Sequence, residues 1–450
     1  MNMPAMNIQA AGGERSEDAA AQLVSAYARI AERLPGSAIA SIRQMREDAI
    51  AAFADKGLPH RRVEEWKYTD LRRMMRQAYA PADAQIEVSA AELDEALGDL
   101  AGIEAMRLVF VNGHFSDALS AMNGLPSGVK LMSLARALDA PTDWLLATLG
   151  KVNAQENETV TLLNTAFMTD GFVLRLAEGV ALDRPLHVVH VSAGDEAVAS
   201  NIRNVIVAEN GAAATLIESY VSLNGATAQT NAVTEVKAGS GAKLRLYKLS
   251  AENADMQHLS SNLVELGESA DFLAVNFADG NALARHQTFL RFSGANARGH
   301  YYGAQLLRDS QHCDMTLLID HDAVGCESRE TVKAVLADRA HGVFQAKVWV
   351  RPDAQQTDGR QMAQSMMLSD EAEFDAKPEL EIYADDVKCN HGATSGALDE
   401  DLLFYLRARG ISEAEARSLL VQAFVGEVID MVEHEALRET LSTRVANWLA

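Results

Sequence analysis

The residues best suited to chemistry lie in the run DDVKCNHGATSG, residues 385 to 396. If this run forms an extended strand, Cys389 and His391 point to the same side of it, two residues apart. A thiolate and an imidazole placed in this way are suitable ligands for iron, zinc or copper. The alternative is a buried thiol beside a hydrogen-bonded histidine at a strand end, and the Cys-x-His spacing alone favours that alternative.

The number of cysteines limits what this pair could hold. The chain has three, Cys313, Cys326 and Cys389, without a CxxC spacing, whereas a stable iron–sulfur cluster commonly needs four protein ligands. Any cluster or metal would therefore be held transiently or jointly with another subunit. Cys313 and Cys326 stand in apolar, strand-like runs and are predicted to be small core residues. A sparse, odd set of cysteines suits a reducing compartment.

Motifs for other chemistries are missing from the sequence. It contains no GxxxxGK[ST] loop, so we expect no ATP hydrolysis by this chain, and it contains no HExxH or GxSxG motif. Asp385 and Asp386 are adjacent and would face opposite sides of a strand, which argues against a glycosidase-like pair. These observations give no indication of nucleotide hydrolysis, of metalloprotease or serine hydrolase chemistry, or of a glycosidase.

Charge and composition exclude further classes. The 450 residues include 40 basic and 63 acidic side chains, a net charge of −23, which argues against nucleic-acid binding. No run of about 18 apolar residues occurs, so no transmembrane helix is predicted. The first 22 residues resemble no secretory leader, and we expect a cytoplasmic protein.

Hydrophobic periodicity predicts a mostly helical N-terminal part, with helices between about Glu17 and Phe53. From about Thr159 the pattern changes to short β runs such as LHVVHVSAG and AKLRLYKLS. Turn glycines recur at steps of 28, 28 and 27 residues, at positions 211, 239, 267 and 294. Such regular turns favour a β-helix, in which each coil stacks on the previous one, over a β-sandwich.

The last part of the chain again reads as helical. Asp399 is predicted to cap a helix in LDEDLLFYLRARG, and Ser412 with Glu415 forms a capping-box pattern before a long helix that runs to about Glu433. The apolar face of that helix is wider than docking on the chain's own core requires. We therefore expect something other than the chain's own core to cover part of it.

Longer motifs resemble the SufB/SufD family of iron–sulfur cluster assembly scaffolds. The resemblance includes RRVEEWKYTDL, VFVNGHFS, the all-β stretch and the run from GVFQAKVWV to CNHGATSGALDEDLLFYLRARGIS, and so covers nearly the whole chain. Within the family the chain looks like the SufD type, because Gly392 stands where SufB-type chains typically carry glutamate.

The resemblance implies a mainly β fold. A right-handed parallel β-helix (159–390) would lie between an N-terminal helical domain (1–158) and a C-terminal helical domain (391–450). It implies a complex with SufB and with the SufC ATPase, and a nascent cluster or iron shared at the junction with SufB. His391 and Cys389 would serve that cluster, and no cofactor would be bound permanently.

In this family SufC docks on the C-terminal helices, and the helical pattern places its contacts at Leu419, Leu420, Phe424 and Val428. A homodimer stays open. Two rival functions also stay open, a SufB-like chain that assembles a cluster alone and a β-helix enzyme acting on polysaccharide.

Overall fold

The computed structural model describes residues 18–82, 86–155, 158–223 and 228–449. The sequence argument against a secretory leader rests mainly on residues before 18, which lie outside this range. Within the described ranges, no helix is both long and apolar enough to cross a membrane.

The body of the molecule is a β-solenoid in which the chain alternates between two sheets, each with ten strands in the described residues. The strands are β1 (Ala80–Pro81), β2 (Met106–Val111), β3 (His114–Phe115), β4 (Val129–Ser133), β5 (Phe172–Leu176), β6 (Leu186–Ser192), β7 (Val198–Ala208), β8 (Ala213–Ser222), β9 (Ala228–Ala238), β10 (Lys243–Ala251), β11 (Gln257–Leu266), β12 (Asp271–Ala278), β13 (Leu283–Phe292), β14 (Arg298–Leu307), β15 (His312–His321), β16 (Glu327–Leu336), β17 (His341–Val350), β18 (Thr357–Met367), β19 (Glu373–Ile382) and β20 (Val387–Ala397).

One sheet, here called sheet A, has the order β19-β17-β15-β13-β11-β9-β7-β5-β4, with β1 paired to β7. Sheet B has the order β20-β18-β16-β14-β12-β10-β8-β6-β2-β3. From β5 to β20, neighbouring strands of each sheet run parallel, as consecutive coils of a solenoid must. The predicted mainly β, β-helical fold is confirmed, and a β-sandwich is excluded.

The coil length varies modestly along the solenoid. Gln257 pairs with Leu283 and His341 with Glu373, partners 26 and 32 residues apart. The glycine repeat marks one stacked corner, because a Cβ built on Gly267 would lie 3.0 Å from the Ala238 carbonyl oxygen. A Cβ on Gly239 or Gly294 would likewise meet backbone, whereas a Cβ on Gly211 would have no atom closer than 3.9 Å.

The helices are α1 (Ala19–Ile30), α2 (Ala40–Lys56), α3 (Leu71–Met74), α4 (Ala90–Leu97), α5 (Leu134–Asp139), α6 (Asp143–Thr148), α7 (Thr159–Phe167), α8 (Glu400–Arg407), α9 (Glu413–Ile429) and α10 (Glu435–Trp448). N-terminal helices cover the outer face of sheet A, where Phe53 and Leu163 join one buried cluster with Leu259 and Leu283. Both predicted N-caps form, since Asp399 accepts from two backbone N–H groups of α8 and Ser412 accepts from the Glu415 N–H, but the described residues do not show the reciprocal bond from the Glu415 carboxylate that would complete a capping box.

The C-terminal helices cover the outer face of sheet B. Val421 and Val425 of α9 belong to one buried cluster with Ala304, Leu306 and Val335 of the sheet. The helix ends at Ile429, four residues before the predicted end. The chain therefore uses much of the wide apolar face of α9 for its own packing.

Element bounds differ from the predicted domain limits at two places. Residue 159 begins helix α7 instead of a strand, because this helix is buried almost all round against α2, β7 and β9 and so lacks an amphipathic pattern. Strand β20 continues to Ala397, past the predicted start of the C-terminal domain at His391. The solenoid also begins earlier, since β2 pairs with β6.

Candidate functional site at the open end of the solenoid

At the last coil, each sheet ends in a long strand whose outer edge is unpaired. β19 is the outermost strand of sheet A and β20 the outermost strand of sheet B, and no strand of the described residues pairs with their outer edges. Most of β20 is exposed and β19 is partly buried, whereas a middle strand such as β15 is almost fully buried. A long, uncovered edge presents free N–H and C=O groups to another chain.

Cys389 lies on the inner face of β20. Its side chain packs at the margin of the interior core and is half-buried. It is in register with Gly359 of β18, and a Cβ built there would lie 3.5 Å from the Cys389 Sγ. Burial raises the pKa of the thiol, a hydrogen bond with the Gly359 backbone opposes the rise, and the carboxylates of Asp358 and Glu330 add to it. The isolated chain therefore holds a protonated thiol.

His391 stands two residues further along the same strand, so its side chain shares the inner face with Cys389. It is exposed. The structure thus places the two sequence-predicted residues on one side of a strand at an open edge. An imidazole and a thiol that can lose its proton suit a soft or borderline metal.

Three buried polar residues behind this pair escaped the sequence analysis. His391 is in register with Gln361 of β18, and Gln361 with Glu330 of β16. Gln361 and Glu330 are each 1% exposed, and Ser328 on the same inner face is fully buried. Burial raises the pKa of Glu330 to about 8, while Ser328 and Arg329 limit the rise. These positions are related by strand pairing between coils of varying length, which spacing along the sequence does not show.

The other two cysteines are core residues, as predicted. Cys313 and Cys326 are free and buried, and burial raises the pKa of both thiols. Within the part of the chain that the structure describes, no group of three or more His, Cys, Asp or Glu side chains is arranged to hold a metal ion.

The four residues predicted to contact SufC differ in accessibility. Val428 is fully buried against the chain's own sheet and offers no surface to a partner. Leu420 and Phe424 are partly buried at the margin of the same cluster. Leu419 is 43% exposed. Helical periodicity placed all four on apolar positions but did not separate inward from outward ones.

A larger exposed apolar group lies on α8, which the sequence analysis did not single out. Leu402, Phe404 and Tyr405 are all exposed, and Phe404 is 74% exposed. With Leu419 of α9 they form what we call the α8–α9 surface. Exposed apolar residues concentrated on two neighbouring helices are typical of a protein-binding site.

Comparison with known proteins agrees with this architecture. A family model described as "SUF system FeS cluster assembly, SufBD core domain" matches residues 190–424, and the model of the SufBD protein N-terminal region matches residues 17–188. The chain belongs to the SufBD family of iron–sulfur cluster assembly proteins. It is 30% identical to the iron–sulfur cluster assembly protein SufD of Escherichia coli, over 87% of this chain and 90% of that protein.

Two further relatives extend the comparison. An iron–sulfur cluster assembly SufBD family protein of Synechocystis is 30% identical over 88% of both chains. Protein ABCI7, chloroplastic, of Arabidopsis thaliana is 26% identical over 94% of this chain and 90% of its own length. The similarity therefore spans both helical parts and the solenoid.

Proposed function

We propose that this chain is a SufD-like scaffold subunit that acts in the cytoplasm with SufB and the SufC ATPase in iron–sulfur cluster assembly. The observation that carries the proposal is the position of Cys389 and His391 on the inner face of the uncovered strand β20. A donor pair at an open edge is completed by whatever chain covers that edge. The nascent cluster is cargo, and SufB supplies its remaining ligands.

The open end supports pairing with SufB. Its edge strands β19 and β20 are 10 and 11 residues long, enough for a continuous intermolecular sheet. Apolar side chains also stand exposed there, namely Met362, Ile382 and Tyr383, and Tyr383 is 61% exposed. Covering them with a partner would remove apolar surface from water.

The protonated Cys389 thiol is consistent with a site that binds its metal tightly only in the complex. Metal ligation requires the thiolate, and binding therefore releases the Cys389 proton. Because burial raises the pKa of the thiol in the isolated chain, metal binding by this chain alone is weak and becomes tight only when further ligands are added. The chain contributes donors and performs no covalent chemistry, and ATP hydrolysis belongs to SufC.

SufC docking is assigned to the α8–α9 surface, with Leu420 and Phe424 at its margin. Leu419→Asp should lower SufC capture at least tenfold, because it puts a charge into an apolar contact. The matched control is Ala436→Asp on α10, an exposed position away from this surface. Equal capture of SufC by both variants would reject the assignment.

Reconstitution tests the function as a whole. The chain alone and its complex with SufB and SufC are incubated with ferrous iron and sulfide, and the visible absorbance of a cluster is followed after desalting. We expect a stable chromophore in the complex and none in the chain alone. A stable chromophore in the isolated chain would instead favour a SufB-like function.

A further inference from the structure

A row of buried polar side chains behind His391 contains atoms without partners. The Ser328 hydroxyl, both carboxylate oxygens of Glu330 and both amide atoms of Gln361 find no hydrogen-bond partner in the described part of the chain. Buried polar groups are nearly always hydrogen-bonded. These groups therefore indicate an interaction that forms in another state of the site.

The register of the strands puts these side chains in line with His391. His391, Gln361 and Glu330 are successive partners on β20, β18 and β16. Neighbouring strands lie about 4.8 Å apart, and in-register side chains on one face are direct neighbours. The inner face is fixed by Val332 and Ala334, which alternate with outward residues on β16 and belong to the interior core.

The donors and acceptors of this row match the needs of a metal-bound imidazole. One ring nitrogen binds the metal, and the other carries a proton that requires an acceptor. The Gln361 Oε1 can accept this proton, and the Gln361 Nε2 can donate to Glu330. Ser328 stands on the same inner face as Glu330, two residues before it on β16, and its hydroxyl can donate to the Glu330 carboxyl group.

We propose that Gln361 is the positioning residue for His391: its side-chain carbonyl accepts the free ring N–H when His391 binds the cluster or its iron, and Glu330 holds the Gln361 amide in turn. This inference rests on the proposed function, since it assumes that His391 is a ligand. It names residues of this chain that fix the tautomer and orientation of that ligand.

Cobalt titration of the full-length chain tests the proposal. Co²⁺ serves as the probe because its bond to the Cys389 thiolate gives a charge-transfer band, which Cys389→Ser should remove. Gln361→Leu should weaken Co²⁺ binding 10- to 100-fold, approximately the range for lost outer-shell partners of metal ligands. Gln361→Glu keeps an acceptor and should stay within about threefold of the wild type.

Ser365→Ala is the matched control. Ser365 is another buried, inward-facing residue of β18, but its hydroxyl donates to Ser395 and not toward His391. This variant should bind Co²⁺ as the wild type does. Equal weakening by Gln361→Leu, Gln361→Glu and Ser365→Ala would show a general packing effect and overturn the proposal.

A second measurement is made on the wild-type chain, and a variant is used only to assign the signal. In the wild-type chain labelled with ¹⁵N-histidine and loaded with Zn²⁺, the free ring N–H of His391 should exchange slowly with water, and His391→Ala identifies its signal. Rapid exchange of that proton overturns the proposal.

The ligand role of His391 and the positioning role of Gln361 can be rejected separately. If His391→Ala binds Co²⁺ as tightly as the wild type, the ligand role of His391 is rejected, and the positioning role with it. If His391→Ala weakens binding and Gln361→Leu does not, only the positioning role is rejected.

Discussion

Buried carboxylates in the middle of the solenoid have charged or hydrogen-bonding partners, whereas one near its open end has none among the described residues. In the middle coils Glu218 forms an ion pair with Lys248 at 3.4 Å, and Glu252 contacts the His258 Nδ1 at 2.7 Å. Two coils from the open end, Glu330 has no such partner among the described residues. All three carboxylates are almost completely buried.

The difference separates structural from functional polar groups. A coil with neighbours on both sides can satisfy its buried charges only internally, so Glu218 and Lys248 serve each other. In the proposed complex, coils next to the open edge face a surface that a partner and its cargo would cover. Single unpartnered atoms also occur in the middle coils, for example both ring nitrogens of His190, but Glu330 is the one buried carboxyl group of the described residues with neither oxygen partnered, a state that is costly for a buried group.

Breaking the middle ion pair should have the largest effect on stability. Lys248→Met leaves Glu218 as an uncompensated buried charge, and we expect the free energy of unfolding to fall by about 3 to 5 kcal/mol. The double variant Glu218→Gln with Lys248→Met should recover part of this loss. Urea denaturation at pH 7 measures both, and a single variant as stable as the wild type would contradict the structural role.

Replacing Glu330 should change the pH dependence of stability. The folded pKa is raised from 4.5 to about 8, so the folded state keeps a proton that the unfolded state releases. The stability that this proton provides is fully present below about pH 4.5. It is lost as the pH rises toward 8, so the free energy of unfolding falls by at most about 4 kcal/mol between pH 5 and 8. Glu330→Gln should remove this slope, and urea denaturation profiles that run parallel for both proteins would refute it.

Two glycine substitutions compare the stacked corners with the open end. A Cβ at Gly294 would overlap the Glu268 backbone nitrogen, whereas nothing lies within 4 Å of a Cβ at Gly396. Gly294→Ala should lower the free energy of unfolding by about 1 to 3 kcal/mol. Gly396→Ala should change it by less than about 0.5 kcal/mol. Similar values for the two variants in urea denaturation would mean that the end is packed as tightly as the middle.

The smallest expected effect on stability is that of the candidate ligand itself. His391 is exposed on an edge strand, so His391→Ala should leave the unfolding free energy within about 0.5 kcal/mol of the wild type. Thermal unfolding checks this. A large loss of stability would show that the imidazole serves the fold.

Much of the fold could be predicted from the sequence because its signals are local. Regularly spaced glycines between positions 211 and 294 indicate stacked coils, and Asp399 and Ser412 cap helices through their immediate neighbours. The shared side of Cys389 and His391 follows from the two-residue period of a strand.

Other features depend on long-range packing and could not be predicted in this way. Helical periodicity does not separate Val428, which faces the chain's own sheet, from Leu419, which faces outward. The row of Glu330, Gln361 and His391 depends on pairing between coils whose length varies, so spacing along the sequence does not reveal it.

Cluster formation by the His391→Ala variant in complex with SufB and SufC tests the central claim most directly. The complex is purified, its composition is checked by size-exclusion chromatography, and cluster absorbance is recorded after incubation with ferrous iron and sulfide. We predict an intact complex that forms no cluster, because the pair of donors at the open edge is broken. An intact complex that forms a cluster as the wild type does would contradict the claim.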